Sequence, residues 1–122
     1  MLGKGVDMLL NAIIGHLVGD YLLQNDWMAL NKKSKLVNLF VHCLIWTMTI
    51  ILFTGWWNIW VFFILIITHG IQDGTHIIIK FMHFKGSLEF SKPPMAPWSI
   101  IVTDNIFHIL VLYLVSSIRN LT

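Results

Sequence analysis

His16 and Asp20 stand four residues apart, as do His69 and Asp73, and Asp104 and His108 repeat the pair in reverse order. His42 adds a lone imidazole. Imidazole and carboxylate together form a donor set suited to Zn, Mn, Fe or Ni. Each pair falls inside an apolar stretch, where a central charge costs roughly 2.5–3.5 kcal/mol to insert into lipid. Buried aspartates therefore need compensating cations, and no Lys or Arg is expected at that depth; Lys80 is nearer the surface. Protonated histidine could compensate, but a divalent ion does so better and uses neutral imidazole directly. The predicted metal ligands are His16, Asp20, His42, His69, Asp73, Asp104 and His108. A catalytic zinc takes about three protein ligands and keeps one position open. The candidates thus suffice for two ions, or for one ion with acid/base partners. Zn is the leading expectation, with Mn or Fe as alternatives.

Composition sets the surroundings. The chain is 57% hydrophobic and 11% charged, with a mean hydropathy of +0.75, where soluble domains carry about 25% charged residues. The expected fold is all-α, a membrane-embedded four-helix bundle forming a single domain over residues 1–122. Spanning helices need roughly 20 mostly apolar residues, and four stretches fit: about 6–27, 36–55, 58–82 and 97–117. Pro93 and Pro94 separate the last two, and Pro97 suits a first helical position. The segment from Val6 to Gln24 contains Asp7, Asn11, His16 and Asp20 and no small-residue cleavage site follows it, so it is expected as a mature helix. Trp and Tyr suit the two water–lipid interfaces. No internal repeat, low-complexity segment or nucleic-acid motif occurs, and the net charge of +2 is too small to favour nucleic acid. Cys43, the only cysteine, excludes an intrachain disulfide and is expected as a packed thiol.

Lysines give the sidedness. Lys32, Lys33 and Lys35 lie in the first loop, and Lys80, Lys85 and Lys92 at the third, against Lys4 and Arg119 at the termini. The positive-inside rule places loops 28–35 and 83–96 in the cytoplasm and both termini outside. A cell inner (cytoplasmic) membrane location follows. Helices one and three then run inward and helix four outward. An Asp on the cytoplasmic side of its His must be written H-x3-D in the first two and D-x3-H in the last, as the sequence has it. Asp20, Asp73 and Asp104 should form one layer, with His16, His69 and His108 one turn, about 5.4 Å, deeper. His42 should lie near the Asp layer. Residues four apart share a helix face, and Gly15 and Gly19 allow close helix approach beside the first pair.

Other polar groups extend these faces. His76, or an aspartate without a metal, is expected to shuttle protons, and Gln24 and Asn105 to orient a substrate. Bland roles compete: His42 or His76 as packing groups, the aspartates as protonated interhelical hydrogen-bonding groups. His83 is expected at the interface, and Asp7 and Asp26 near helix ends. The Asn31–Lys35 run is expected as a solvated loop, able to attract anionic headgroups.

The blocks G-H-L-V-G-D-Y-L-L-Q-N-D-W-M-A (Gly15–Ala29), T-H-G-I-Q-D (Thr68–Asp73) and D-N-I-F-H (Asp104–His108), with His42 between the first two, carry a resemblance. The chain resembles a small four-span family of bacteria and phages, a domain of unknown function, over nearly its whole length. That family in turn looks like a relative of YdjM-type membrane-bound proteins, described as metal-dependent hydrolases. Residue by residue, the resemblance marks the same His16, Asp20, His42, His69, Asp73, Asp104 and His108. Relatives often carry a basic residue about three positions after the third-helix Asp; this chain has His76 there.

Three functions follow as expectations. The first is a metal-dependent hydrolase in which acidified water attacks an ester, phosphoester or amide near the cytoplasmic leaflet. Its partners would be membrane lipid and a lipid or lipid-linked substrate. The second is a small oligomeric transporter or proton relay, since intramembrane Asp and His also mark ion pathways; a homo-oligomer would supply the missing spans. The third is a non-enzymatic, phage-type regulatory membrane protein with a structural metal. No phosphate loop and no Ser or Cys nucleophile motif occurs.

Overall fold

The computed structural model describes the backbone of residues 3–120 and the side chains of residues 7–119. Lys4, counted in the charge bias, lies outside the described side chains. Every regular element among the described residues is helical. In chain order, α1 (Gly3–Leu17) runs into a π-helical segment, Val18–Leu22. Then come α2 (Asp26–Asn31), α3 (Leu36–Thr54), α4 (Ile59–Gly74), α5 (Ile77–Phe84), a 3-10 turn at Glu89–Ser91, and α6 (Trp98–Asn120).

Local chemistry explains the ends. Asn25 is extended, and its side chain accepts from the Met28 amide at 3.1 Å, capping α2. Asn58 accepts from the amides of Trp60 (2.9 Å) and Val61 (3.2 Å) and so caps α4. Gly55, with φ of 73°, takes the left-handed position that ends α3, and its amide returns to the Ile51 carbonyl at 2.7 Å. The α6 helix starts just after Pro97, whose carbonyl accepts from the Ile101 amide at 3.1 Å.

The four longer helices pack in a ring: α1 against α3 and α6, and α4 against the same two. One half of the interior is apolar, built from Ala12, Trp46, Ile50, Trp56, Leu65 and Leu112 with their neighbours. The other half holds the histidines and aspartates. By length and composition, α3 and the Trp98–Arg119 stretch of α6 are apolar enough to cross a membrane. The α4–α5 pair meets the same measure only as a unit, and it is bent by 70°.

That bend and the end of the first helix depart from expectation. The stretch 58–82 is two helices, because Thr75 is extended between them and its hydroxyl oxygen accepts from the Ile77 amide at 3.3 Å. The stretch 6–27 also breaks. The Leu23 amide bonds the Val18 carbonyl at 3.0 Å, a π turn, and the Asn25 cap then redirects the chain into α2. Single-turn π segments occur frequently at functional sites, and this one contains Asp20.

Gly19 lies in the same segment, pressed on α3. A Cβ there would stand 2.9 Å from Trp46 Cδ1 and 3.2 Å from Trp46 Cα. At Gly70 a Cβ would meet only Cys43 Sγ, at 3.7 Å. Gly19→Ala is therefore expected to destabilise the fold by about 1–3 kcal/mol through overpacking. Gly70→Ala should be neutral or stabilising by up to about 1 kcal/mol through helix propensity. Thermal unfolding in detergent, followed by tryptophan fluorescence, separates the two; equal behaviour would contradict the close α1–α3 approach.

Candidate metal centre

Helical periodicity brings the three His/Asp pairs together. His16, His42, His69 and His108 are all buried, as is Asp73. The His69 and His108 rings lie 4.4 Å apart, and those of His16 and His108 5.1 Å apart. His42 sits at the level of the aspartates, as its position early in α3 requires. Its Nε2 is 3.2 Å from Asp20 Oδ1 and 3.0 Å from Asp73 Oδ2.

Two ligand-like groups emerge. In the first, Asp20, His42, His69 and Asp73 each turn one donor atom toward a common point. His69 Nε2 lies 2.9 Å from His42 Nε2 and 3.5 Å from both Asp20 Oδ1 and Asp73 Oδ2. In the second, His108 Nε2 is 3.1 Å from Asp73 Oδ1 and 3.3 Å from Asp104 Oδ2. Asp73 is common to both, one oxygen facing each group. An ion bound by about 2.0–2.1 Å bonds in a tetrahedron separates its ligand atoms by about 3.3 Å. The measured separations bracket that value, so the residues fit a divalent ion. Asp20 Oδ1 supports the fit, being a buried carboxylate oxygen without a hydrogen-bond partner.

His16 stands apart from both groups. The Trp46 indole N–H donates to His16 Nδ1 at 3.0 Å. Indole is a donor only, so Nδ1 accepts and the proton sits on Nε2, which donates to Asn105 Oδ1 at 2.8 Å. Both ring nitrogens are engaged in hydrogen bonds in this geometry. Its other neighbour is Asp20 Oδ2, at 3.3 Å from Nδ1. Asn105, expected to orient a substrate, is hydrogen-bonded as well: its amide donates to Tyr21 Oη (2.6 Å) and to the Ile101 carbonyl (2.8 Å). Both residues buttress the cluster in this geometry. Trp46 does so twice, since its ring stacks on His69 at 3.9 Å and 11°. It ends the short apolar run Cys43–Trp46, and nothing in the sequence marks it as a hydrogen-bond donor to His16.

The larger correction concerns cations. The Asn31–Lys35 run is not simply a solvated loop. Because α2 folds back over the bundle end, Lys32 Nζ reaches Asp73 Oδ2 at 2.6 Å and Gln24 Oε1 at 3.0 Å. Gln24 thereby holds Lys32, and its own amide donates to the Asp20 carbonyl at 3.2 Å. Lys33 Nζ donates to the carbonyls of Asp73 (2.9 Å) and Thr75 (3.1 Å), which the α4–α5 break leaves free. A cation at a helix C-terminus also complements the helix dipole. Partial burial lowers the Lys33 pKa from the usual lysine value, and the Asp73 carboxylate opposes that shift. Gly74, the last residue of α4, is the sequence signal for this break.

The remaining expected positions are peripheral. His76 is exposed and precedes α5, on the rim of a cavity that Asp73 and Asp104 also line. His83 is exposed, with Nε2 3.1 Å from Ser91 Oγ. Asp7 and Asp26 are exposed, Asp26 in the first turn of α2, and Cys43 is buried.

No curated protein and no solved structure matches this chain. Residues 8–122 match the model of the family described as "Protein of unknown function (DUF3307)", and the chain belongs to that family.

Proposed function

We propose that this is a four-span membrane protein whose His/Asp cluster binds one or two divalent ions and hydrolyses a substrate arriving from the lysine-rich side. The observation that carries the metal reading is the set of separations among the first group's donor atoms, 2.9 to 3.5 Å. Hydrogen bonding alone leaves Asp20 Oδ1 without a partner in a buried setting, which an ion would relieve. Two imidazoles and two carboxylates suit Zn first, with Mn or Fe as alternatives.

The exterior supports embedding. Large apolar side chains such as Leu22, Leu36, Trp60 and Leu114 are mostly exposed, a pattern that in water would invite association. In this reading α1 with its π segment, α3, α4 and α6 cross the bilayer. The short α2 and α5 lie at one interface with Lys32, Lys33, Lys35, Lys80, Lys85 and Lys92. That interface is cytoplasmic by the positive-inside rule, in the cell's inner membrane, with both termini outside.

A bound divalent ion would supply Lewis acidity, polarising a substrate oxygen and acidifying water. The chain's own residues do the rest. Asp20, His42, His69 and Asp73 would hold the ion, and Asp73, Asp104 and His108 a second. Lys32 offsets charge on Asp73, and Gln24 keeps Lys32 in place. Trp46 and Asn105 fix the His16 ring against Asp20. His76, on the cavity rim, is placed to carry a proton between the site and water.

A relay reading has one observation in its favour, the continuous contacts Asp104–His108–His69–His42. Beyond that polar layer, however, the interior is filled by Ile50, Leu65 and Leu112, which gives a proton no polar path onward.

Purified in detergent and assayed by plasma mass spectrometry, the protein is expected to carry about one to two Zn, Mn or Fe ions per chain. Asp73→Asn should remove all of them, Asp104→Asn at most one, and exposed Asp26→Asn none. Metal-free wild type, or Asp73→Asn with wild-type content, would sink the metal reading. Trp46→Phe keeps the stack on His69 but deletes the donor to His16. It is expected to weaken metal binding about 10- to 100-fold, the usual effect of losing an outer-shell partner, measured by chelator competition. Hydrolysis of a chromogenic phosphoester or carboxylic ester should vanish with chelator and return with Zn or Mn; activity indifferent to chelator would refute the hydrolase.

A further inference from the structure

Two cavities abut beside the cluster. The first, about 190 Å³, is bordered by Lys32, Lys33, Asp73, His76 and Asp104 on its polar side. The second, about 250 Å³, is walled by Ile71, Ile77, Phe81 and Phe107. Gln72 and Ile78 belong to both. One compartment thus sets two lysine ammoniums beside the Asp73 and Asp104 carboxylates of the second ligand-like group. The other is apolar and lies between α4, α5 and α6.

We propose that the two cavities form one binding site for a phosphate-bearing membrane lipid, with the phosphate between Lys32 and Lys33 and an acyl chain along Phe81 and Phe107. This rests on the metal-hydrolase reading and names its substrate class. Each lysine ammonium has three N–H groups. Lys32 and Lys33 each commit two of them to the protein, leaving one apiece for an anion. Gln72 Oε1 is buried without a hydrogen-bond partner where the cavities meet. Its amide can turn to offer either N–H or oxygen to an ester linkage. The 70° bend opens the apolar compartment, because α5 leaves the α4 axis. A ligand filling both compartments would offer an anion to the two uncommitted lysine N–H groups and an aliphatic chain to the apolar walls. Hydrolysis there would break one P–O ester bond, water giving its hydroxide to phosphorus and its proton to the departing alcohol oxygen.

The test uses the full chain in detergent and three probes. Dioctanoyl phosphatidate carries head and chains, dioctanoylglycerol only the chains, and glycerol 3-phosphate only the head. Native mass spectrometry is expected to give at least about tenfold tighter binding of phosphatidate than of either fragment. Ile71→Trp, at an exposed position that lets the indole fill the apolar compartment, should lower phosphatidate affinity about tenfold. Lys33→Gln should also weaken it, with Lys33→Arg restoring it. Equal binding of phosphatidate and dioctanoylglycerol would overturn the proposal, as would full affinity for glycerol 3-phosphate or an inert Ile71→Trp. Metal content is measured on the same samples. Phosphatidate preference in protein that takes up no Zn retires the metal reading but keeps the lipid site; Zn uptake without that preference does the reverse.

Discussion

The Asp73 carboxylate is the group on which the rest of the interior depends. It is buried at the end of α4, and each oxygen faces different partners: Lys32, His42 and His69 on one side, His108 on the other. An ionised carboxylate in so apolar a setting persists only where cations and donors surround it. That requirement explains why α2 folds back to deliver Lys32, why α4 ends at this level, and why the histidines of three helices converge here. The helix ring is thereby divided into an apolar half that supplies packing and a polar half that supplies charge compensation.

The polar half is held in place by partners outside the donor atoms. Trp46 stacks on His69 and fixes the His16 tautomer through its indole N–H. Gly19 lets α1 come close enough for both contacts. Outer partners of this kind orient ligands and set their basicity. The cluster is therefore preorganised from α1, α3, α4 and α6 together, and a change in any one helix's register would move a donor atom off the common point.

Much of this was legible in the sequence, because a four-residue spacing on a helix places two side chains on one face whatever else surrounds them. The H-x3-D, H-x3-D and D-x3-H order expects Asp20, Asp73 and Asp104 in one layer near His42, with His16, His69 and His108 one turn deeper; in the structure His42 lies beside Asp20 and Asp73, and His108 beside Asp73 and Asp104. What spacing could not reveal was direction changes and donors. The polar Asp73-Gly74-Thr75-His76 stretch interrupts the apolar pattern at the α4–α5 bend, but single glycines and polar residues also occur inside helices, so spacing alone gives neither the 70° change of direction nor the carbonyls that Lys33 caps. Lys32 looked solvated because its reach depends on the Asn25 turn. The hydrogen bond from Trp46 to His16 is equally invisible in the sequence, because Trp46 follows Leu44 and Ile45 and reads as core.

Asp20, His42, His69 and Asp73, from the π segment, α3 and α4, would converge on one divalent ion. X-ray absorption at the metal edge of the purified protein tests this most directly. The predicted spectrum has nitrogen and oxygen scatterers at about 2.0–2.2 Å, with imidazole outer-shell features that diminish in His42→Ala. A metal edge lacking imidazole scattering, or one unchanged by His42→Ala, would contradict it.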